Sequence, residues 1–275
     1  MLANLQDVLS KAQKEHYAVG LFNTTDSDML EAAIRAAEEL QSPIIIGTAE
    51  VLLPFGELQL IGPGMVEAAK RASVPVVVHY DHGLTFDRCM EAMRLGFTSI
   101  MFDGSAGDVE QNMADTREMV KIAHSLGVTV EGEIGHVGLA DADHQDRYTT
   151  VEEASDFIAA TGVDALAIAI GTAHGPYKNK PQLDLQRLRE IRNAVDTPLV
   201  LHGGSGLSDD DFRNTIRDGI AKINIFTDLC IAGAEASQKA LDAGKGYLEM
   251  RNMRVDAICE AVKTKIRLFG SAGKA

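Results

Sequence analysis

The feature that most constrains this chain is a repeated alternation of short apolar runs with amphipathic stretches. The runs are YAVGLFN (17–23), PIIIGT (43–48), PVVVHYDH (75–82), TSIMFD (98–103), VTVEGEIG (128–135), DALAIAIG (164–171), PLVLHGGS (198–205) and IAKINIFT (220–227). Their first halves are almost wholly apolar and lack strict alternation, the pattern of strands buried on both faces of a parallel sheet. Residues 26–41, 108–126, 151–161, 184–195 and 208–217 place apolar side chains at helical spacing. Asp26 and Ser208 stand where N-caps are expected, and carboxylates follow Ser208 in the first turn, where the helix dipole favours them. Eight strand–helix units predict an α/β fold, a (β/α)8 TIM barrel, for which ~250 residues is the usual size. A doubly wound open sheet is the alternative. No linker or charge block divides the sequence, so one domain over 1–275 is expected, with extra N-terminal and C-terminal helices. The helical tail from about 228 to 267 exceeds what eight units need and is expected to pack outside the barrel or against a partner subunit.

Polar residues collect at the C-terminal ends of the runs: Asn23, Asp81, His82, Asp103, Glu131, Glu133, His174, His202 and Asn224. In a barrel these ends converge on the face where active sites are built. Of the eight histidines, His82, His174 and His202 each follow a strand end and precede glycine. Three imidazoles suit a borderline metal such as Zn²⁺ and leave a coordination position open, the catalytic arrangement. Asp81 adjoins His82. Successive strand residues face opposite sides, so both reach one pocket only where the strand ends. A carboxylate there either supports the metal ligand or transfers a proton. Glu131 and Glu133 share a strand face and need a partner or a metal, a structural ion pair being the alternative. His79, two residues before Asp81 on the same strand face, is placed either to orient Asp81 or to support a metal ligand from behind. His16 and His124 read as surface residues, and His136 and His144 flank a lid segment.

Charge limits the partners. The chain has 26 Lys+Arg against 40 Asp+Glu, a net charge of −14, which argues against nucleic acid and anionic membranes. No run approaches ~18 apolar residues, the length needed to span a bilayer. The N-terminal residues lack the apolar core of a signal peptide, and three scattered cysteines read as reduced thiols, so a cytoplasmic location is expected. A small anion remains compatible. HGGSG (202–206) and INIFT (223–227) close the last two runs, where barrels often bind phosphate. Gly203, Gly204, Ser205 and Gly206 offer N–H groups and a hydroxyl, and Lys178 offers a cation.

Over essentially its whole length the chain resembles the class II, metal-dependent ketose-bisphosphate aldolases. The resemblance is carried by VVVHYDHG (76–83), VEGEIGHVG (130–138), AIGTAHGPYK (169–178), PLVLHGGSG (198–206) and KINIFT (222–227). It implies a (β/α)8 barrel, a homodimer or homotetramer, and reversible cleavage of a small phosphorylated ketose to dihydroxyacetone phosphate and an aldehyde. By position it implies Zn²⁺ on His82, His174 and His202, with Glu133 as auxiliary ligand, and Asp81 as the proton-transfer group. It implies Gly175, Gly203, Gly204, Ser205, Asn23, Asn224, Phe226, Thr227 and Lys178 around the substrate, and a monovalent cation, Na⁺ or K⁺, on carbonyls near Gly175 and Gly203. Three departures stand out. Gly138-Leu139-Ala140-Asp141 replaces a Gly-Gly-x-Glu loop, so the carbon base falls to Asp141 or Asp143. Ala49 stands where many members have a phosphate-binding serine. Phe226 stands where related enzymes carry aspartate or a small residue, which points to a substrate other than fructose 1,6-bisphosphate. Arg251 and Arg254 are candidates for a distal phosphate across a subunit interface. A barrel metallohydrolase and a non-catalytic accessory subunit are the competing readings.

Overall fold

The structure is a computed structural model that describes residues 1–135, 148–173 and 181–275. A two-residue strand β1 (Leu2–Ala3) and helix α1 (Leu5–Glu15) precede the alternating units. These are β2 (Val19–Asn23), α2 (Ser27–Glu39), β3 (Ile44–Ala49), α3 (Leu58–Arg71), β4 (Val76–Gly83), α4 (Phe86–Leu95), β5 (Ser99–Phe102) and α5 (Val109–Ser125). They continue with β6 (Thr129–Ile134), α6 (Val151–Thr161), β7 (Ala165–Ile168), α7 (Leu185–Ala194), β8 (Leu199–Leu201), α8 (Asp209–Arg217) and β9 (Ile220–Ile225). Helices α9 (Thr227–Asp242) and α10 (Tyr247–Phe269) end the chain. Strands β2 to β9 pair in parallel with their sequence neighbours, and β9 pairs back onto β2, closing an eight-stranded barrel. The barrel is the expected one rather than the open sheet. The short β1, which hydrogen-bonds to the start of β4, is an addition. So are α3 and α4, whose glycine- and proline-bearing or charge-rich sequences mask their apolar faces.

Local signals agree with this architecture. Asp26 caps α2 by accepting from the N–H groups of Asp28 and Met29, and Ser208 and Asp211 form a reciprocal capping box at α8. The tail is two helices. Helix α10 packs on α9, α2 and α8, burying Val255, Ile258, Val262, Ile266 and Phe269 at three- and four-residue spacing. Each such side chain contributes about 1.5–3 kcal/mol when removed from water. The Phe269 carbonyl accepts from the Ala18 N–H at 3.0 Å, tying the tail to the entry of β2.

The barrel interior is layered. Its lower part is apolar: Val19, Leu21, Ile45, Val77, Ala165, Ala167, Val200 and Ala221 form one cluster with Leu5, Val8, Leu9 and Ala12 of α1, which plugs that end. Above it lie His79, Glu131 and Lys222, all fully buried. Uppermost, at the C-terminal strand ends, come Asn23, Asp81, His82, Glu133, His202 and Asn224.

Two register shifts set these layers. Between Leu199 and Val200, which pair with Ile220 and Lys222, β9 carries one extra residue, Ala221. Tyr80 pairs with Ile100 but Gly83 pairs with Phe102, so β4 carries one residue more than β5 across Asp81 and His82. His82 adopts φ +44 at this bulge. Simple alternation would turn Asp81 and His82 to opposite sides. The bulge, rather than the end of the strand, lets both face the same pocket.

Candidate active site

The uppermost layer opens on a cavity of about 400 Å³ lined on its polar side by Asn23, Asp81, His82, Asp103, Ser205, Asn224 and Thr227. Asp81 is held from two strands. Asn23 Nδ2 donates to its Oδ2 at 2.8 Å, and Asn224 Nδ2 lies 3.1 Å from Oδ1 and 3.2 Å from Oδ2. Burial opposes ionisation of this carboxyl, but His82, Lys222, His202 and His79 around it prevail and hold its pKa well below the usual carboxylate range.

His82 and His202 stand with ring centroids 4.6 Å apart. His82 Nδ1 lies 2.7 Å from Asp103 Oδ2. His202 Nε2 lies 2.8 Å from Glu131 Oε1, and its Nδ1 lies 3.0 Å from Glu133 Oε2. Burial would depress the His202 pKa, but its hydrogen bonds to Glu131 and Glu133 raise it to about 10. Ser105 Oγ joins the carboxylates, lying 2.7 Å from Asp103 Oδ1 and 3.0 Å from Glu133 Oε1, with one hydroxyl proton between them.

This arrangement fits a divalent metal. Asp81, His82 and His202 each offer a ligand atom within 4.8 Å of one another, and so do His82, Asp103 and Glu133. His82 has one nitrogen fixed by Asp103, which sets its ring for coordination through the other, and His202 is oriented between the carboxylates of Glu131 and Glu133. The donor set, imidazole nitrogen with carboxylate oxygen, is one that binds borderline divalent cations.

Gly203 and Gly204 follow β8 and line the same cavity. Gly203 has φ +66, and a Cβ there would stand 2.3 Å from the Ala173 carbonyl oxygen. The loop after β8 therefore lies directly against the end of the β7 segment. Ser205 Oγ accepts from the Phe226 N–H at 3.3 Å, joining this loop to the end of β9. Phe226 precedes α9, whose N-terminal Thr227 also faces the cavity. Ala49, Val51, Leu52, Leu84, Ile225 and Phe226 supply the apolar part of the cavity wall.

The sequence-predicted residues Asn23, Asp81, His82, Glu133, His202, Gly203, Gly204, Ser205, Asn224, Phe226 and Thr227 are thus brought to one end of the barrel. His174, Gly175, Lys178, Asp141 and Asp143, with His136 and His144, lie outside the described residues. Arg251 donates to Asp28 Oδ1 at 2.9 Å and also pairs with Glu31, and Arg254 pairs with Asp28. Both guanidiniums clamp α10 to α2 within the chain. His79 is less direct than expected: its Nε2 is 3.8 Å from Asp81, while its Nδ1 lies 2.7 Å from Ser99 Oγ. Ser105 and the pairing of Lys222 with Glu131 at 2.8 Å were not anticipated. A lysine inside an apolar strand run is itself the signal of a buried partner. Ser105, in an ordinary polar loop sequence, gives none.

Among the described residues no helix is long and apolar enough to cross a membrane. Comparison with known proteins agrees with the geometry. The chain is 42% identical to the YdjI protein of Escherichia coli K12 over 279 residues, covering 100% of both. It superposes on the crystal structure of that YdjI aldolase with a TM-score of 0.91 over 100% of each chain. It is 39% identical over 283 residues to a 6-phospho-5-dehydro-2-deoxy-D-gluconate aldolase of Halalkalibacterium halodurans, covering 100% of this chain and 98% of the relative. It is 38% identical over 306 residues to the fructose-bisphosphate aldolase of Thermus caldophilus, covering 100% of both. The family described as "Fructose-bisphosphate aldolase class-II" matches residues 3–274. With the barrel, the clustered imidazoles and carboxylates and these relatives in agreement, the chain is an aldolase and belongs to the class-II fructose-bisphosphate aldolase family.

Proposed function

We propose that the protein cleaves a phosphorylated ketose, a 1-phosphate or 1,6-bisphosphate, reversibly to dihydroxyacetone phosphate and an aldehyde. The observation that carries this reading is the placement of Asp81. It is gripped by two carboxamides, lies beside two imidazoles, and opens on a cavity that the Gly203–Ser205 loop also lines. His82 and His202, with His174 and Glu133, are the residues assigned to hold Zn²⁺. When bound, that ion supplies Lewis-acid stabilisation of the negative charge that carbon–carbon cleavage leaves on the dihydroxyacetone phosphate half.

The protein's own groups do the rest. Asp81 takes the proton of the C4 hydroxyl as the C3–C4 bond breaks, and returns it in condensation. Asn23 and Asn224 keep its oxygens aimed. The N–H groups of Gly203 and Gly204, the Ser205 hydroxyl and the first turn of α9 at Thr227 receive the phosphate, which the positive end of a helix favours. Asp141 or Asp143 is assigned the proton at the dihydroxyacetone phosphate carbon, and Gly175 and Lys178 complete the anion site, with Na⁺ or K⁺ near Gly175 and Gly203. The whole of residues 1–275 acts as one domain, as a homodimer or homotetramer in the cytoplasm.

A coupled assay for dihydroxyacetone phosphate release, run before and after exhaustive chelation, tests the reaction. Activity is expected to vanish and to return with Zn²⁺; activity that survives chelation rejects the metal-dependent route. The apolar wall supports a substrate other than fructose 1,6-bisphosphate. Phe226→Ala is expected to change the ratio of kcat/KM between a small and a bulky aldehyde by ~10-fold or more, the order set by a few methylenes of pocket contact. Metal content should not change. An unchanged ratio removes the ring from the substrate's path.

A further inference from the structure

We propose that Lys222 is a positioning residue that fixes the candidate metal ligand His202 through Glu131. Its ammonium lies 2.8 Å from Glu131 Oε2, and the other oxygen of the same carboxylate, Oε1, lies 2.8 Å from His202 Nε2. All three side chains are fully buried. Lys222 lines no part of the cavity, so it acts on the site through its neighbours rather than by touching substrate.

The geometry is specific to the fold. Strand β9 reaches β8 with its extra residue just before Lys222, and the shift pairs Lys222 with Val200, two residues before His202. The ammonium is thereby set one layer below the imidazole, level with Glu131. An unpaired Glu131 could rotate about its terminal torsion. With Oε2 pinned by Lys222, Oε1 has one direction, towards His202 Nε2. That bond fixes the plane of the ring and turns Nδ1 towards Glu133. A coordinating histidine needs its ring orientation set in this way, and loss of the group that sets it typically weakens metal binding 10–100-fold. A purely structural ion pair at this depth would be replaceable, since buried pairs often add little net stability over neutral side chains.

The inference rests on His202 being a metal ligand, and the experiment separates the two. Zn²⁺ is titrated into apoprotein in competition with a chromophoric chelator, for the unaltered chain and for Lys222→Met, Lys222→Met/Glu131→Gln and His202→Ala. The double variant removes both buried charges together and keeps the carboxylate's shape, so it carries the test if the single variant fails to fold. Zn²⁺ affinity is expected to fall 10–100-fold in both Lys222 variants. The ¹⁵N resonance of His202 Nε2 in the folded apoprotein is expected to shift in both Lys222 variants, as the ring loses its fixed hydrogen bond to residue 131. Recovery of full Zn²⁺ affinity in the double variant overturns the proposal and leaves Lys222 a charge-balancing partner. So does unaltered affinity in both Lys222 variants while His202→Ala loses it. Unaltered affinity in His202→Ala instead overturns the assignment of the metal ligand itself.

Discussion

Asp81→Ala is expected to lower kcat by about 10²–10⁴-fold, the range for loss of a positioned proton-transfer group, while bound Zn²⁺ stays near one per site. Among the described residues, the hydrogen bonds to Asp81 come from the carboxamides of Asn23 and Asn224 rather than from a histidine nitrogen or a hydroxyl. Asp103 and Glu131 are each committed to an imidazole, and Glu133 to His202 and Ser105. Removing Asp81 therefore leaves both ring orientations in place. It also leaves Asn23 and Asn224 beside a cavity that water can fill, so their amides are not stranded and the stability change should stay near 1 kcal/mol. Asp81→Asn sharpens the comparison, because it keeps the shape and cannot take a proton. Wild-type turnover in either variant would remove Asp81 from the chemistry. Loss of the metal from Asp81→Ala would recast it as a ligand.

The second large effect is expected at Gly203. An alanine there places its Cβ 2.3 Å from the Ala173 oxygen and 2.7 Å from its carbonyl carbon, and both obstacles are backbone. The residue also sits at φ +66, where an L side chain costs about 1–2 kcal/mol. The loop must move by a substantial part of an ångström, and a displacement of ~1 Å in a positioning element can reduce rate ~10²-fold. Gly203→Ala should therefore lower Tm, raise KM for the ketose phosphate and depress kcat/KM by about two orders of magnitude. Gly127 supplies the control: it has φ +73, with nothing within 4 Å of an added Cβ. Gly127→Ala should show the backbone cost alone, with unaltered kcat/KM. If Gly203→Ala behaves like Gly127→Ala, the contact with Ala173 does not position the phosphate loop.

Much of this site is legible in the sequence because barrel geometry turns a local rule into a global one. Once the apolar runs are read as parallel strands, residues as distant as Asn23 and Asn224 fall on one rim. Their shared grip on Asp81 is then a matter of side-chain reach. Periodicity cannot reveal the extra residue in β4. Alternation separates Asp81 from His82, and only the backbone turn at φ +44 reunites them. Residue type shows that Lys222 needs a buried partner, but that the partner is Glu131 depends on a register shift at Ala221. The arginines of α10 show the converse limit. A free-looking guanidinium in a sequence is as readily the partner of a helix carboxylate, here Asp28, as of a substrate phosphate.

The seam between β2 and β9 also orders events in time. Val19 meets Lys222, so the first barrel strand is completed by the last. Such a contact closes a loop of most of the chain and is entropically late in folding. Until β9 docks, Glu131 has no ammonium beside it, and the middle layer has reason to stay hydrated. An incompletely wound barrel thus keeps at its centre a carboxylate that lacks its ammonium partner. The same lysine that completes the polar layer makes dehydration of the interior conditional on the strand order being complete.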